Sequence, residues 1–392
     1  MGAAPWLIQE LFGRPRLSCG WELDADCKRL ANHWVPWSYD RGDITHDKPE
    51  NVAQDIHKVD PRAECIVVFV AAPPCQDFSR IRSDAPGAKG HNGSLFGTAV
   101  DFMQELRKLL PDHKFTWLFE NVIMATDEAA VISQNLGHPP VVACASDFGW
   151  ISRPRLWWSP ADWDSMVVHP QSGKRLRWTK QSHWQRLRLD ADREPVTSFP
   201  LEGLSFSPEV ASGRRLIPCL STPAPTDEGR PPPRSSRGKA DPATKQRWLE
   251  GKRQYPPWTY AEYTMLSDSS GKLHLLTADV KETLHQVPQG YTQVTDVSEK
   301  ARHRLLGNGW HWGVARQLLF LTVMAAHMGQ LVKADVTTLR HGPQESWLRK
   351  LADFHLVCGA LVGPGPRTDT APLIPPNLGE LAHWEASAHI VH

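Results

Sequence analysis

The sequence predicts an α/β fold, a mostly parallel sheet with helices on its faces and a smaller unit inserted late in the chain. Three observations carry that expectation. Short, β-branched apolar runs recur at intervals that leave room for helices, and one such helix shows as an apolar stripe between two of them. After about Asp164 the texture changes to basic, tryptophan-bearing and then proline-rich sequence.

The elements follow in chain order. Residues 64–72 (ECIVVFVAA) form a nearly unbroken apolar run, as a strand buried on both faces requires. Pro73 and Pro74 cannot continue its ladder, so Cys75 is expected on a stiff loop at the carboxyl end of a strand, where open α/β sheets place their ligands. In residues 97–110 (GTAVDFMQELRKLL), Ala99, Met103, Leu106 and Leu110 recur at helical spacing. Residues 116–122 (TWLFENV) read as a second strand ending in polar Glu120 and Asn121, followed by strand candidates at 141–148 and 156–159. Residues 230–242 (RPPPRSSRGKADP) have neither helical nor strand period and read as a linker or long surface loop. Regular pattern returns near Glu282, followed by one helical stretch from about 301 to 329. Residues 332–392 show only a weak helical pattern around 347–356, and no internal repeat is visible.

The chain has 392 residues, enough for a full core and two folding units, and a formal net charge of only +1. The distribution says more than the total. Residues 171–253 hold 17 lysines and arginines against 9 aspartates and glutamates, an excess of 8 positive charges that leaves the remainder at −7. That region is the candidate surface for a polyanion. The seven cysteines (Cys19, Cys27, Cys65, Cys75, Cys144, Cys219, Cys358) include no CxxC pair and no zinc spacing, and their odd number fits a reducing compartment better than a disulfide framework. No metal site is expected. The amino terminus lacks the pattern of a secretory signal, and the longest apolar stretch is too short to cross a bilayer, so we expect a soluble intracellular protein with no membrane partner.

Four segments stand in a telling order: PPCQDFS with Cys75, FENV with Glu120, SRPRLWW with Arg153 and Arg155, and RLLGNGW at 304–310. Forty-five residues separate Cys75 from Glu120, and 33 more lead to Arg153. In this order the chain resembles the C5-cytosine methyltransferases, which move a methyl group from S-adenosylmethionine to carbon 5 of cytosine. The resemblance covers roughly residues 20–323. TWLFENV, GHNGSLF and the RxR followed by aromatics look most like the de novo DNA methyltransferases, whereas FSRIR after the PCQ is reminiscent of the tRNA-methylating branch.

The resemblance implies a Rossmann-like S-adenosylmethionine-dependent methyltransferase sheet with an inserted target recognition domain. Carbon 5 of cytosine is a poor nucleophile until a thiolate adds at carbon 6, and Cys75 would supply that thiolate, available near neutral pH. Glu120 would share a proton with N3 and needs a raised pKa to do so. Arg153 and Arg155 alternate along an extended segment and would hold the base O2 and a phosphate. On the cofactor side, the resemblance assigns Glu22 to the ribose, Asp43 to the adenine edge, and Pro73, Asn308, Gly309 and Trp310 to the remaining wall. Gln76, Ser79 and Asn121 would line the substrate side, with Asn121 orienting the loop.

In the basic region, Lys174, Arg175 and Arg177 interleave with Trp178, which suits phosphates and stacked bases. The segment beginning CLSTPAP lacks the Cys-Phe-Thr signature of the tRNA branch, which leans the expected partner towards DNA. A duplex cytosine would have to be flipped out to reach Cys75, with the loop at 83–94 filling the gap. The expected organisation is a catalytic region at 1–165, a recognition region at 166–280, a return to the catalytic domain at 281–331 and a segment of unassigned role at 332–392. One departure stands out. Only 21 residues precede Glu22, and they offer no apolar strand with the glycine-rich turn that the family places around the methionine part of its cofactor. RNA methylation and a catalytically silent nucleic-acid-binding relative therefore stand beside DNA methylation. The expected location is the nucleus in a eukaryote and the cytoplasm otherwise.

Overall fold

The computed structural model describes residues 1–78, 86–161, 177–181, 184–188, 195–230, 240–339 and 388–391. Its main sheet is built from β1 (Ser18–Gly20), β2 (Tyr39–Asp40), β3 (Ile66–Ala71), β4 (Lys114–Val122) and β5 (Val141–Cys144). A two-residue β6 (Ile151–Ser152) precedes β7 (Pro154–Trp158), and the hairpin of β8 (Arg177–Gln181) and β9 (Trp184–Arg188) follows. Smaller sheets use β10 (Ser205–Phe206), β11 (Ile217–Pro218), β12 (Leu266–Ser267) and β13 (Leu273–His274), and β14 (Ala388–Val391) comes last. The main sheet runs in the order β2-β1-β14-β3-β4-β7-β5-β9-β8. It is parallel from β2 through β4, with β7 antiparallel to both β4 and β5.

Side-chain alternation explains why β3 carries apolar residues at successive positions. Ile66, Val68 and Val70 enter the cluster under the first and last helices, while Val67 and Phe69 enter the cluster on the opposite face. One face is covered by α1 (Ala3–Phe12) and α10 (Trp312–Leu339), the other by α3 (Pro49–Val59), α4 (His91–Leu109) and α5 (Thr126–Leu136). Tryptophans fill much of this core. Trp157, Trp158 and Trp312 are wholly buried, and Trp6, Trp34 and Tyr291 meet edge-on or stacked beside Trp312.

Further helices are α2 (Ala25–Trp34), α6 (Pro208–Ala211), α7 (Pro242–Glu250), α8 (Ala278–Leu284) and α9 (Glu299–Asn308). Among the described residues no helix is long and apolar enough to cross a membrane.

One sequence expectation is changed, and two features are added. The single helix expected over 301–329 is two, because Gly309 takes an extended conformation and its carbonyl is held by Arg153 rather than by the next turn. The amino-terminal stretch, in which no strand is expected, is helical, with Ala4, Leu7, Ile8 and Leu11 on its buried stripe. The central position between β1 and β3 is taken by β14, in parallel register Ser18 to Ile390 and Ile390 to Val68. The weak helical pattern at 347–356 lies outside the described residues.

Candidate active site

The carboxyl ends of β3 and β4 position the candidate chemistry. Pro73 and Pro74 lead the chain off β3, and the Asn121 amide donates to the Pro73 carbonyl at 3.2 Å while its own oxygen accepts from Val122 N–H at 2.9 Å. Asn121 is wholly buried with both of its polar atoms committed. It fastens the Cys75 loop, and neither polar atom is left for the substrate side to which the resemblance also assigns it.

The loop is pinned a second time beyond the cysteine. Asp77 accepts from the backbone N–H groups of Asn92 and Gly93 at 2.9 and 3.1 Å, at the start of α4. This close seating explains the glycines of GHNGS. A Cβ on Gly90 would collide with the Asp77 carboxylate, and one on Gly93 with the Gly87 carbonyl oxygen. Phe78 packs edge-on against Phe96 of the same helix, 6.2 Å between ring centroids. Sequence reading passed over Asp77, because a capping carboxylate this far from its helix leaves no local pattern.

Glu120 stands near the end of β4, 9% exposed, with both carboxylate oxygens engaged. Oε1 lies 3.2 Å from Arg155 Nε, and Oε2 accepts from Trp310 Nε1 at 3.1 Å. Burial pushes its pKa up, opposed by Arg155, Arg153 and the indole, which is the direction the sequence reading requires.

Cys75 lies within electrostatic reach of Glu120, Arg155 and Arg153. Burial, then the Glu120 charge, pushes its thiol up, and the two arginines only partly offset this. The expectation of a thiolate available near neutral pH is therefore corrected: the resting thiol is protonated because it is desolvated beside a carboxylate.

The two arginines divide their work. Arg155 turns to Glu120, whereas Arg153, 4% exposed, donates to the carbonyls of Gly307 and Gly309 at 3.1 and 2.7 Å. Its assignment as a group free to hold the base is corrected, since it ties the α9 terminus to the strand. Both guanidiniums also reach Cys219 Sγ, at 3.0 Å from Arg153 and 3.7 Å from Arg155. Sequence reading gave Cys219 no role in the site, and only the fold brings it there.

Trp310 belongs to the same pocket rather than to a cofactor wall, since its indole faces Glu120 and packs on Trp157 at 5.7 Å. Asn308 is exposed at the end of α9. On the other side of the sheet order, Glu22 follows β1, and its Oε1 accepts from the N–H groups of Leu23 and Asp24. Its Oε2 stays 3.9 Å from the chain's amino group. Asp43 caps a short turn, and hydrogen bonds from the N–H and hydroxyl of Thr45 hold its carboxyl below the usual range.

Gln76 is exposed on the Cys75 loop. Ser79, Lys174 and Arg175 lie outside the described residues, as do positions 83–85 of the loop at 83–94; the rest of that loop is a short turn at Gly87–Lys89 and the start of α4. Arg177 and Trp178 fall on β8, which pairs with β9 and through it extends the main sheet beside β5.

The site is thus a buried, charge-dense pocket at the carboxyl edge of a parallel α/β sheet, with a thiol, a carboxyl group and two guanidiniums gathered from separate segments. No protein-family description matches this sequence, and no curated protein matches it. Solved structures similar to it include a triple mutant of Spodoptera frugiperda DNMT2, 15% identical, covering 82% of this chain and 96% of its own, with a TM-score of 0.48. The S. pombe Dnmt2 methyltransferase is 16% identical over 84% of this chain and 96% of its own, TM-score 0.44. The Entamoeba histolytica methyltransferase EhMeth is 11% identical over 83% and 95%, TM-score 0.46.

Proposed function

We propose that this chain is a C5-cytosine methyltransferase acting on nucleic acid, with DNA as its substrate and S-adenosylmethionine as its methyl donor. The observation that supports this most is the meeting of Cys75, Glu120 and Arg155. They come from three motifs that follow one another in the family's order, and they share one electrostatic environment at the strand ends.

The chemistry follows from those groups. The Cys75 thiol gives its proton to solvent as the sulfur bonds to carbon 6 of the ring, and electron density moves through the ring towards N3. Glu120, with a pKa raised by burial, is placed to carry the proton shared at N3. Arg155 balances the carboxylate when it is charged. Carbon 5 then takes the methyl group and gives its own proton to solvent, N3 returns its proton to Glu120, and the Cys75–C6 bond breaks to release a thiolate that solvent reprotonates.

The ribose side of a cofactor site would fall to Glu22 after β1, whose Oε1 accepts from two backbone N–H groups and whose Oε2, ion-paired with the chain's amino group at 3.9 Å, would have to exchange that contact for a ribose hydroxyl. S-adenosylmethionine held there would supply an electrophilic methyl group. The stretch ahead of β1 is the helix α1 rather than a strand with a glycine-rich turn. That observation supports a second reading, a catalytically silent nucleic-acid-binding relative.

The experiment is incubation with S-adenosylmethionine and either duplex DNA or RNA containing 5-fluorocytosine. A covalent adduct on DNA that disappears in Cys75→Ala is expected. An adduct on RNA alone moves the substrate to RNA. Nucleic-acid binding without detectable S-adenosylmethionine binding or adduct leaves the silent relative.

A further inference from the structure

Arg153 is a buried cation whose hydrogen-bond acceptors are two neutral carbonyls and one sulfur. Glu120, the carboxylate nearest the pair, is engaged by Arg155 and Trp310. A buried charge without an opposite charge is strongly disfavoured, so the group that answers Arg153 has to be sought among what touches it. Among the described residues that accept a hydrogen bond from Arg153, Cys219 is the one that can ionise.

Cys219 follows β11, which pairs in parallel with β6, so the sheet itself delivers the sulfur to the segment bearing both arginines. We propose that Cys219 is a thiolate and a positioning residue: it is the anionic partner of Arg153 and Arg155, and it holds the arginine pair in the orientation that Glu120 uses. Its effect on methyl transfer rests on the function proposed above, but its ionisation does not.

The surrounding charges agree. Burial alone would raise the Cys219 thiol, yet Arg153 and Arg155 outweigh it and hold it below the ordinary thiol value. His285 and His311, which face Arg153, are kept neutral by burial and the nearby arginine, so they add no competing cation. Glu120 and Cys75 approach from the β4 and β3 sides. With Cys219 ionised, two guanidiniums meet two anions and the pocket is neutral. The protonated alternative is also visible, since the same sulfur lies 3.5 Å from the Leu220 carbonyl, to which a thiol can donate. A thiolate cannot, and the two forms are therefore separable by experiment.

The first measurement needs no activity. Thiolate absorbance near 240 nm is followed from low to high pH in the wild-type chain and in Cys219→Ser. Cys19, Cys27 and Cys65 are pushed up to about 12 by burial and stay silent in this range. The difference between the two proteins is expected to show one step with a midpoint below that of an ordinary cysteine. A step at or above the ordinary value, or none, overturns the proposal.

The second measurement compares urea unfolding of wild type, Cys219→Ser and Cys219→Asp. A depressed folded-state pKa stabilises fully above the unfolded thiol value and is lost as pH falls through the folded one, so the wild-type advantage over Cys219→Ser should widen as pH rises. Cys219→Asp, which is charged at neutral pH, should recover that advantage. A gap that does not change with pH, or an Asp variant no better than Ser, rejects the thiolate role. If DNA or RNA is methylated, Cys219→Ser should lose about tenfold in kcat at neutral pH, and Cys219→Asp should keep most of it. Equal kcat in all three rejects the positioning role. Absence of transfer in the wild type counts against the proposed function alone, because absorbance and unfolding still decide Cys219.

Discussion

Replacing Arg153 with methionine tests whether this arginine builds the site or serves a substrate. The change keeps an unbranched stem and removes the guanidinium, with its bonds to Gly307, Gly309 and Cys219 at 3.1, 2.7 and 3.0 Å. Charge-assisted bonds contribute about 1.5–3 kcal/mol each, and two buried carbonyls are left without a partner. Breaking a buried charged set by removing one member costs about 3–5 kcal/mol, so a loss of roughly 4 kcal/mol is the expected order. Urea unfolding read by tryptophan fluorescence gives the number as the midpoint change multiplied by the slope. A substrate-facing cation at the surface would change stability by only about 0.5 kcal/mol or less. A loss under about 1 kcal/mol with an unchanged slope would refute the anchoring role and return Arg153 to the substrate.

Other substitutions reach the remaining parts of the framework. Asn121→Ala should cost about 1–2 kcal/mol and slow adduct formation at Cys75, because the Pro73 carbonyl loses its donor; unchanged adduct kinetics would count against the loop-anchor role. Glu120→Gln removes the carboxylate that raises Cys75, so iodoacetamide should label Cys75 faster at neutral pH while the 5-fluorocytosine adduct is lost; slower labelling would contradict the electrostatic account. Asp24, held at about 2 by Arg304 and its own capping bonds despite partial burial, joins α2 to α9. Its depressed pKa means that the stability difference from Asp24→Asn is present above about pH 4 and closes as pH falls towards the folded value. Lys281, lowered to about 7 by burial, sits 2.9 Å from His303 Nδ1. The fold disfavours its charge, so Lys281→Met should gain most in unfolding midpoint at pH 6, with the gain shrinking as pH rises past 7.

How much of this was legible in the letters depended on the range of the interaction. The strand ending at Ala71 and the one ending at Val122 were readable because a buried parallel strand needs apolar residues at successive positions, and few other elements do. That rule also put Cys75 and Glu120 each at the end of a strand, while the pairing of the two strands came only with the fold. The helix over Ala3–Phe12 was present as a spacing of Ala4, Leu7, Ile8 and Leu11, but one apolar stripe over ten residues is too short to stand out from an irregular lead-in. By contrast, β14 is four residues long and takes its position from pairing with strands more than 300 residues earlier, which no local pattern encodes. Cys219 is of the same kind, since its meaning lies in two arginines contributed by another segment.

The pocket's charges suggest why a protonated nucleophile suits the proposed chemistry. Cys75 is kept as a thiol partly by the negative charge on Glu120, and Glu120 is kept ready for a proton by its own burial. A proton held by Glu120 therefore removes the charge that opposes ionisation of Cys75. Arg155, relieved of the carboxylate's charge, is then the nearer balance for a developing thiolate, so the two titrations are linked. The space left among Glu120, Arg153, Arg155 and Trp310 is only about 10 Å³, at the lower limit for a single water, so the packing around the carboxyl is itself what keeps it desolvated and ready for a proton.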